Sequence, residues 1–296
     1  MRTYRYLTSF IALVVSAVTM NAQSVSFLNA AENTRELAMG GMNVAGDASI
    51  VLEDTDFNAS VSYYRWSPKG VGTNIGSMEV SYRLGKIGIF TEGRTNAYAP
   101  YPAYDGNGLA TGEYKPGELS LGLGAAWAIT PDLAASVFAK YVSSKLAPEA
   151  EAAAFCADLN LIYRHRNLTA GLQAANIGSK LNYSTVKTPL PMMIKLGVQN
   201  DFDLGDRFGL LAGIDAGYIS QGQSGTFLVS AGADLKMFDI LSVMAGYRFS
   251  TDSTFEPSYF SAGLGAEISV VSITAAYLIS QAPIGNTLAL TLKVSF

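Results

Sequence analysis

The side chains with the greatest chemical reactivity are few and stand far apart in the sequence. The chain has one histidine, His165, which lies between Arg164 and Arg166, and one cysteine, Cys156. An imidazole acts as a general base only beside a nucleophile or a substrate proton. No G-x-S-x-G, H-E-x-x-H or C-x-x-C pattern accompanies it. The sequence therefore predicts no catalytic site, no metal site and no cofactor, and His165 is interpreted as a solvated turn residue.

Two further stretches could bind a ligand or a partner. Residues 37–46 are rich in glycine but lack the G-x-G-x-x-G spacing, so they are interpreted as tight backbone turns in a confined space. In residues 96–108, Tyr98, Tyr101 and Tyr104 recur every three residues around two prolines. Aromatic side chains on a stiffened loop offer contact area at low entropic cost. This loop either binds a partner or ligand or packs into the protein's own mouth, and both alternatives stay open.

The composition indicates a chain that covers apolar surface with something other than water. Of the 296 residues, 49% are hydrophobic and only 15% are charged, and the mean hydropathy is +0.21. Soluble domains carry about 25% charged residues. The net charge of −4 argues against a nucleic-acid partner. A lone cysteine cannot form an intramolecular disulfide.

The first 22 residues are interpreted as a secretory signal peptide. A basic start with Arg2 and Arg5 precedes a short apolar core, and Ala22 ends a plausible cleavage region. The alternative is a transmembrane anchor, for which the apolar run is short. No cysteine near the cut could carry a lipid anchor.

Alternation of apolar with small or polar residues dominates the chain after residue 58. In the last ten residues, the apolar face runs from Leu288 through Leu292 and Val294 to Phe296. A period of two is typical of strands with one polar face. About fourteen such runs lie near 59–66, 76–84, 87–96, 117–128, 133–146, 152–164, 168–177, 192–202, 207–219, 225–235, 239–250, 258–268, 271–280 and 286–296.

Short and longer connections alternate between these runs. Tight turns at one end and loops at the other are typical of outer-membrane barrels, in which the turns face the periplasm. A sheet crosses lipid only when it closes on itself, because lipid cannot satisfy its backbone groups. We therefore predict an all-β, antiparallel up-and-down transmembrane barrel of about fourteen strands over residues 59–296, with residues 23–58 as a plug. The alternative is a secreted β-sandwich.

A family resemblance agrees with this fold. Residues 27–41, FLNAAENTRELAMGG, resemble the amino-terminal motif of the PorV/PorQ family of Bacteroidetes outer-membrane proteins, which are relatives of the FadL-type barrels. Residues 114–120, 140–144 and 176–183 are also similar to that family. The family usually continues with Asn-Pro-Ala, whereas this chain has Asn58-Ala59-Ser60. The resemblance implies a role in type IX secretion or surface attachment, with components or cargo of that system as partners.

These observations leave three non-enzymatic functions open. The first is the protein-interaction role that the resemblance implies, the second is FadL-like transport of hydrophobic small molecules, and the third is a structural barrel or adhesin. The predicted inward faces are small and polar, which favours the first over the second. Outer-membrane lipid and the barrel-assembly machinery are expected partners in each case. Leu292, Val294 and Phe296 resemble the carboxyl-terminal signal that this machinery recognises.

Overall fold

The computed structural model describes residues 25–44, 46–53, 55–66, 73–104, 109–148, 150–183, 186–222, 224–252, 256–280 and 286–296. The predicted signal peptide, residues 1–22, lies outside the described residues. None of the helices within these ranges has the length and apolarity that a membrane-spanning helix needs.

Fourteen antiparallel strands form a closed barrel, which confirms the predicted fold class. Each strand pairs with the next barrel strand along the chain, and the last pairs with the first. The barrel strands are β1 (Phe57–Trp66), β2 (Thr73–Leu84), β3 (Ile87–Tyr98), β6 (Gly117–Thr130), β7 (Leu133–Ala147), β8 (Ala150–His165), β9 (Leu168–Gly178), β12 (Met192–Asp203), β13 (Phe208–Gln221), β14 (Ser224–Met237), β15 (Leu241–Ser250), β16 (Tyr259–Ile268), β17 (Val271–Ile279) and β18 (Thr287–Ser295).

Two small hairpins stand outside the barrel ladder. One consists of β4 (Tyr101–Tyr104) and β5 (Ala110–Tyr114), and the other of β10 (Leu181–Tyr183) and β11 (Val186–Thr188). The sequence predicts plain loops in both places. Strands this short give too few alternating positions for a period of two to be visible.

The barrel closes between β1 and β18. Val61 pairs with Leu292 and Tyr63 with Leu290, so the two outward faces are in register. The backbone oxygen of Phe296 accepts hydrogen bonds from the amides of Asp56 (2.9 Å) and Phe57 (2.7 Å). The carboxyl-terminal strand therefore forms the seam of the barrel, beside the residues that lead into β1.

The two ends of the barrel differ in their connections. One end, here called the turn end, carries the links 85–86, 131–132, 166–167, 204–207, 238–240 and 269–270. The other end, the loop end, carries both small hairpins and the links around residues 251–258 and 280–286. The expected alternation fails at 148–149 and 222–223, which are short links at the loop end. There the strands continue further than their apolar pattern indicates, so the loops shrink to hairpin turns.

The alternating faces separate lipid from lumen. Outward side chains such as Leu123 (63% exposed) and Leu264 (64%) form an apolar belt, whereas inward Ser120 and Ser136 are buried. Because backbone groups within the ladder are paired, this belt can face hydrocarbon at no hydrogen-bonding cost. Apolar side chains also point inward, among them Phe90, Phe138 and Ile162. The lumen is thus less uniformly small and polar than the sequence predicts.

Short helices precede β1. A 3₁₀ helix spans Ser26–Asn29, α1 spans Thr34–Ala38, and a second 3₁₀ helix spans Asp47–Val51. The side chain of Asn33 caps α1 by accepting a hydrogen bond from the amide of Glu36 at 2.9 Å. Residues 25–53 are called the N-terminal segment below.

Candidate functional site

The N-terminal segment contacts the inner wall from one end of the barrel to the other. The amide of Val25 donates to Glu118 Oε1 (3.1 Å) near the loop end. The amide of Thr34 donates to Thr291 Oγ1 (3.0 Å) further down. Arg164, beside a link of the turn end, donates to the backbone oxygen of Leu52 at 3.0 Å. The segment therefore occupies the lumen along its length.

Glycines on the inner wall let the segment approach backbone to backbone. A Cβ added at Gly246 would lie 2.5 Å from the carbonyl oxygen of Met39, and one at Gly232 would lie 2.7 Å from Met39 Cβ. On β12, a Cβ at Gly197 would lie 2.7 Å from a methyl carbon of Val44. The sequence shows these inward residues only as small. In the structure they leave room for the backbone of the segment.

A buried arginine ties the start of the segment to β3. Arg94 Nε lies 2.8 Å from Glu92 Oε1, so its charge is paired. Its Nη1 also donates to the backbone oxygens of Phe27 (3.1 Å) and Ala30 (3.0 Å). This side chain thus binds two backbone oxygens of the segment, of which that of Phe27 also accepts from the amide of Ala30 at 3.2 Å.

A second buried cluster lies on β7, β8 and β9. Lys140 Nζ lies 2.6 Å from Asp158 Oδ2 and 2.6 Å from Asn176 Oδ1. Asn176 has φ of 59° and opens a bulge in β9, where its amide donates to Asp158 Oδ1 at 2.7 Å. Its Nδ2 donates to Asn29 of the segment (3.2 Å). The bulge thus links the wall to the segment.

Further ion pairs cross the middle of the lumen. Arg35 of α1 lies 2.9 Å from Asp234 on β14. Lys195 lies 3.7 Å from Asp215 on β13, and the same carboxylate accepts from the amide of Asn43 at 2.9 Å. Lys195, Asp215 and Asp234 are buried and pairing offsets the cost of burying their charges, whereas the Arg35 side chain is half exposed.

At the loop end, Glu256 connects its loop to β15 through an ion pair and to the segment through a hydrogen bond. Glu256 Oε2 lies 3.8 Å from Arg248 Nη1, and Asn29 Nδ2 donates to Glu256 Oε1 at 3.5 Å. Burial raises the pKa of Glu256 to about 7, although the Arg248 guanidinium and the Asn29 bond act in the opposite direction. This carboxyl therefore changes its charge near neutral pH.

Apolar side chains gather at the loop end of the lumen. Val25 and Phe27 begin the segment there and are 0% and 1% exposed. They belong to one cluster with Val142 of β7, Leu181 of β10 and Leu190. Leu181 begins β10 and Leu190 follows β11, and both are buried, whereas Val186 of β11 is 59% exposed.

Beside this cluster the ladder between β9 and β12 stops before the strands that flank it. The β9–β12 ladder ends at the pair Ala175 and Met193, whereas β13 and β14 pair up to Gln221 and Ser224. Beyond Ala175, β9 pairs only with β8, as far as Gly178. Near the loop end, β9 and β12 are therefore not joined by a strand ladder.

A cavity of about 260 Å³ lies between the segment and the wall formed by β1, β2, β17 and β18. Five carboxylates line it, namely Glu32, Glu36, Asp47, Glu53 and Glu79, together with the bases Arg35 and Lys293. Burial raises the pKa values of Glu32 and Asp47, and neighbouring carboxylates raise both further. Both carboxyls therefore hold a proton more readily than free carboxyls do, and five acidic side chains stand against two basic ones at this cavity.

The three tyrosines of the predicted binding loop do not form one surface. Tyr98 is the last residue of β3, and its hydroxyl donates to Glu118 Oε2 at 2.7 Å. Tyr101 packs against Tyr114 and donates to the backbone oxygen of Leu146 at 3.0 Å. Tyr104 ends β4. Tyr101 thereby anchors the β4–β5 hairpin to the neighbouring strand, and a role in binding stays a prediction.

The remaining predicted residues lie apart from the lumen. Phe296 stacks on Phe57 with ring centroids 4.9 Å apart and is 65% exposed, and Leu292 is 50% exposed on the same outward face as Val294. Their role as an assembly signal stays a prediction. His165 is the exposed last residue of β8 rather than a turn residue, and its Nδ1 lies 3.4 Å from Asp132 Oδ2. The described residues contain no cluster of His, Cys, Asp or Glu suited to a metal ion.

The residues that hold the segment were only partly visible in the sequence. Strand alternation places Glu118 and Asp158 inward, and both are buried in the lumen. The partners Arg94, Lys140 and Asn176 carried no separate signal, because their contacts join residues remote in the chain. Only the strand parity of Arg94 and Lys140 could have indicated that they point inward.

No protein-family model matches the sequence, and the comparison with curated proteins finds no match. Solved structures are similar in fold. The toluene transporter TodX of Pseudomonas putida matches with a TM-score of 0.61 and 12% identity over 89% of this chain and 98% of that one. The monoaromatic hydrocarbon channel CymD gives 0.56 and 10% over 89% and 97%, and a Pseudomonas aeruginosa FadL homologue gives 0.56 and 11% over 89% and 98%.

These likenesses show the fold, which is that of a FadL-type barrel. The proteins matched are channels and transporters rather than enzymes. A closed fourteen-strand barrel with an apolar belt is built to cross the outer membrane, and the protein is placed there. Its turn end then corresponds to the periplasmic side and its loop end to the exterior.

Proposed function

We propose that the protein is a FadL-like outer-membrane channel for small hydrophobic molecules, in which the N-terminal segment acts as the plug. The observation that carries this proposal is the apolar cluster at the loop end. Val25 and Phe27 of the segment lie there against Leu181 and Leu190. A hydrophobic molecule arriving from the exterior would replace contacts that these side chains now make with one another.

The direction of exit follows from the charges below the cluster. The pairs Lys140–Asp158 and Lys195–Asp215 lie between the cluster and the turn end. An apolar molecule that moved past these pairs would separate each buried charge from its partner and offer no hydrogen bond in exchange, which costs free energy. Exit between β9 and β12, beyond the pair Ala175–Met193 where their ladder ends, would release the molecule directly into the membrane.

The fold supports small aromatic hydrocarbons as the first molecules to test. TodX and CymD, which share the barrel architecture, are described as a toluene transporter and a monoaromatic hydrocarbon channel. The apolar side chains of the cluster offer such a molecule dispersion contacts without hydrogen bonds to satisfy.

The test is uptake of radiolabelled toluene by cells that lack their own hydrocarbon channels and express this barrel. Leu190→Asp places a charge in the buried cluster and should reduce uptake at least fivefold. Leu204→Asp is the matched control, because Leu204 is 53% exposed at the turn end. Both variants must show the heat-dependent gel shift of a folded barrel. Equal uptake by Leu190→Asp and the parent would overturn the proposal.

A second proposal is the protein-interaction role implied by the PorV/PorQ resemblance. Polar groups line the lumen and the N-terminal segment occupies it. Both features favour a role in protein interaction over a role in transport. The β4–β5 hairpin, held by Tyr101 at the loop end, would offer the contact surface. Affinity capture from native membranes should then recover type IX components or their cargo. Recovery of the barrel with lipid alone would exclude this role.

A further inference from the structure

The seam between β1 and β18 differs from the other junctions of the barrel wall. These two strands come from opposite ends of the barrel sequence, so no turn or loop joins them directly. Their ladder covers residues 58–65 of β1, whereas the β13–β14 ladder covers residues 208–221 of β13. Opening the wall at the seam therefore breaks a shorter run of ladder hydrogen bonds, and no covalent link limits the separation.

A row of hydroxyl side chains crosses this seam on the inner wall. Thr291 of β18 lies directly opposite Ser62 of β1, and Ser62 lies directly opposite Ser77 of β2. On the other side of the seam, Thr274 of β17 lies opposite Thr291. The row continues on β3 with Arg94, which lies opposite Ser77. Polar groups of neighbouring strands from β3 to β17 thus stand at one level of the lumen.

The N-terminal segment follows this row from strand to strand. It begins at β3, where Arg94 binds two of its backbone oxygens. On β2, Ser77 Oγ donates to the backbone oxygen of Glu32 at 3.2 Å. On β18, Thr291 Oγ1 accepts from the amide of Thr34 at 3.0 Å. Beyond the seam, α1 lies against β15, β16, β17 and β18. The segment therefore runs around the inside of the wall and crosses the seam.

The hydroxyl of Thr291 joins three parts of the chain at the crossing point. A hydroxyl has one proton to donate and two lone pairs that accept. Thr291 Oγ1 donates to Thr34 Oγ1 at 2.7 Å and accepts from the amide of Thr34. The remaining lone pair faces Ser62 Oγ at 2.7 Å, and Ser62 is the donor because the proton of Thr291 is already used. The first strand, the last strand and the segment thus share one saturated hydroxyl.

We infer that residues 27–41 form an internal strap that holds the seam of the barrel closed. On one side of the seam the strap is bound to β3 and β2. On the other side it is bound to β18, to Ser261 of β16 through Gly40, and to Arg248 of β15 through Gly41. Separating β1 from β18 then requires breaking strap contacts in addition to the seam ladder. The inference does not depend on hydrocarbon transport.

The test measures amide hydrogen exchange of the full barrel in lipid nanodiscs, and Thr34→Pro is the variant that detaches the strap. Proline removes both the amide donor and the hydroxyl. It suits the first position of a helix, which Thr34 occupies in α1, and the preceding Asn33 is already extended (φ −145°, ψ 168°). Exchange of residues 58–65 and 288–295 should become at least tenfold faster, while residues 208–221 exchange as in the parent.

Three further variants accompany this test. Thr34→Ser keeps the amide and the hydroxyl, so its seam should exchange as in the parent. Thr274→Val is the matched control on the wall, because Thr274 stands in the same row but forms no hydrogen bond with the segment in the described part of the chain. Thr34→Val removes the hydroxyl alone and should accelerate seam exchange at least threefold, which keeps the inference testable if the proline variant does not fold.

Two outcomes would overturn the inference. The first is parental exchange of residues 58–65 and 288–295 in Thr34→Pro although residues 35–41 exchange faster, since the segment would then occupy the lumen without supporting the seam. The second is equal acceleration of residues 208–221, which would indicate a general loss of barrel stability. Folded barrels are identified in every variant by the heat-dependent gel shift.

Discussion

Gly246→Ala tests whether close backbone contact holds the N-terminal segment in the lumen. The added Cβ would lie 2.5 Å from the carbonyl oxygen of Met39, whereas non-bonded atoms pack about 3.5 Å apart. The segment must therefore retreat by about 1 Å or more. The contact is with backbone, so a change of rotamer cannot relieve it.

The size of the effect follows from what that retreat breaks. The amide of Gly40 donates to Ser261 Oγ (3.0 Å), and this hydroxyl donates to the backbone oxygen of Ala38 (2.9 Å). Losing both bonds costs about 2 kcal/mol, and overpacking adds about 1–3 kcal/mol. A total near 4 kcal/mol would raise the equilibrium constant for undocking about 1,000-fold.

The assay is amide hydrogen exchange of residues 37–42 in nanodiscs, with trypsin cleavage after Arg35 as an independent readout. Gly209→Ala is the matched control, because a Cβ there meets no atom within 4 Å. Both variants should keep the heat-dependent gel shift of the barrel. Parent-like exchange and cleavage in Gly246→Ala would refute the docking model.

Three further outcomes are expected. Lys140→Met leaves the buried carboxylate of Asp158 unpaired and should lower the free energy of unfolding, measured by urea titration, by about 3–5 kcal/mol. Lys145→Met is the control: it breaks an ion pair whose two side chains are exposed and should change that free energy by less than about 1 kcal/mol. Because the folded pKa of Glu256 is raised from 4.5 to about 7, the folded state holds this proton more tightly than the unfolded chain; stability should therefore fall as pH rises from 4.5 through 7, and Glu256→Gln should flatten that slope. Deleting Phe296 removes the ring beside the barrel seam and should slow assembly in a pulse-chase gel-shift assay; assembly at the parental rate would contradict the proposed signal.

The fourteen strands could be predicted because lipid and lumen impose opposite demands on successive residues. In β6, Leu121 and Leu123 face outward while Ser120 is buried, as the alternation indicates. The β4–β5 hairpin could not be predicted, since its first strand contains Pro102 and spans four residues. Its strands pair outside the barrel, where no membrane enforces a two-faced pattern.

The interior of the barrel was predictable only in part. The sequence shows small inward residues such as Gly232 and Gly246 but not what they face. Their partner is Met39, about two hundred positions earlier in the chain. Contacts of this kind depend on how a non-repeating segment crosses the lumen, and no local period encodes that path.

The direction in which the N-terminal segment crosses the lumen constrains how the protein is made. Val25 lies at the loop end, beside Glu118, and the chain descends from there to β1 at the turn end. The same segment contacts Thr291 of the closing strand β18, which comes from the opposite end of the chain. It reaches its final position only once β18 has joined the wall, so seating of the segment is a late event in barrel formation.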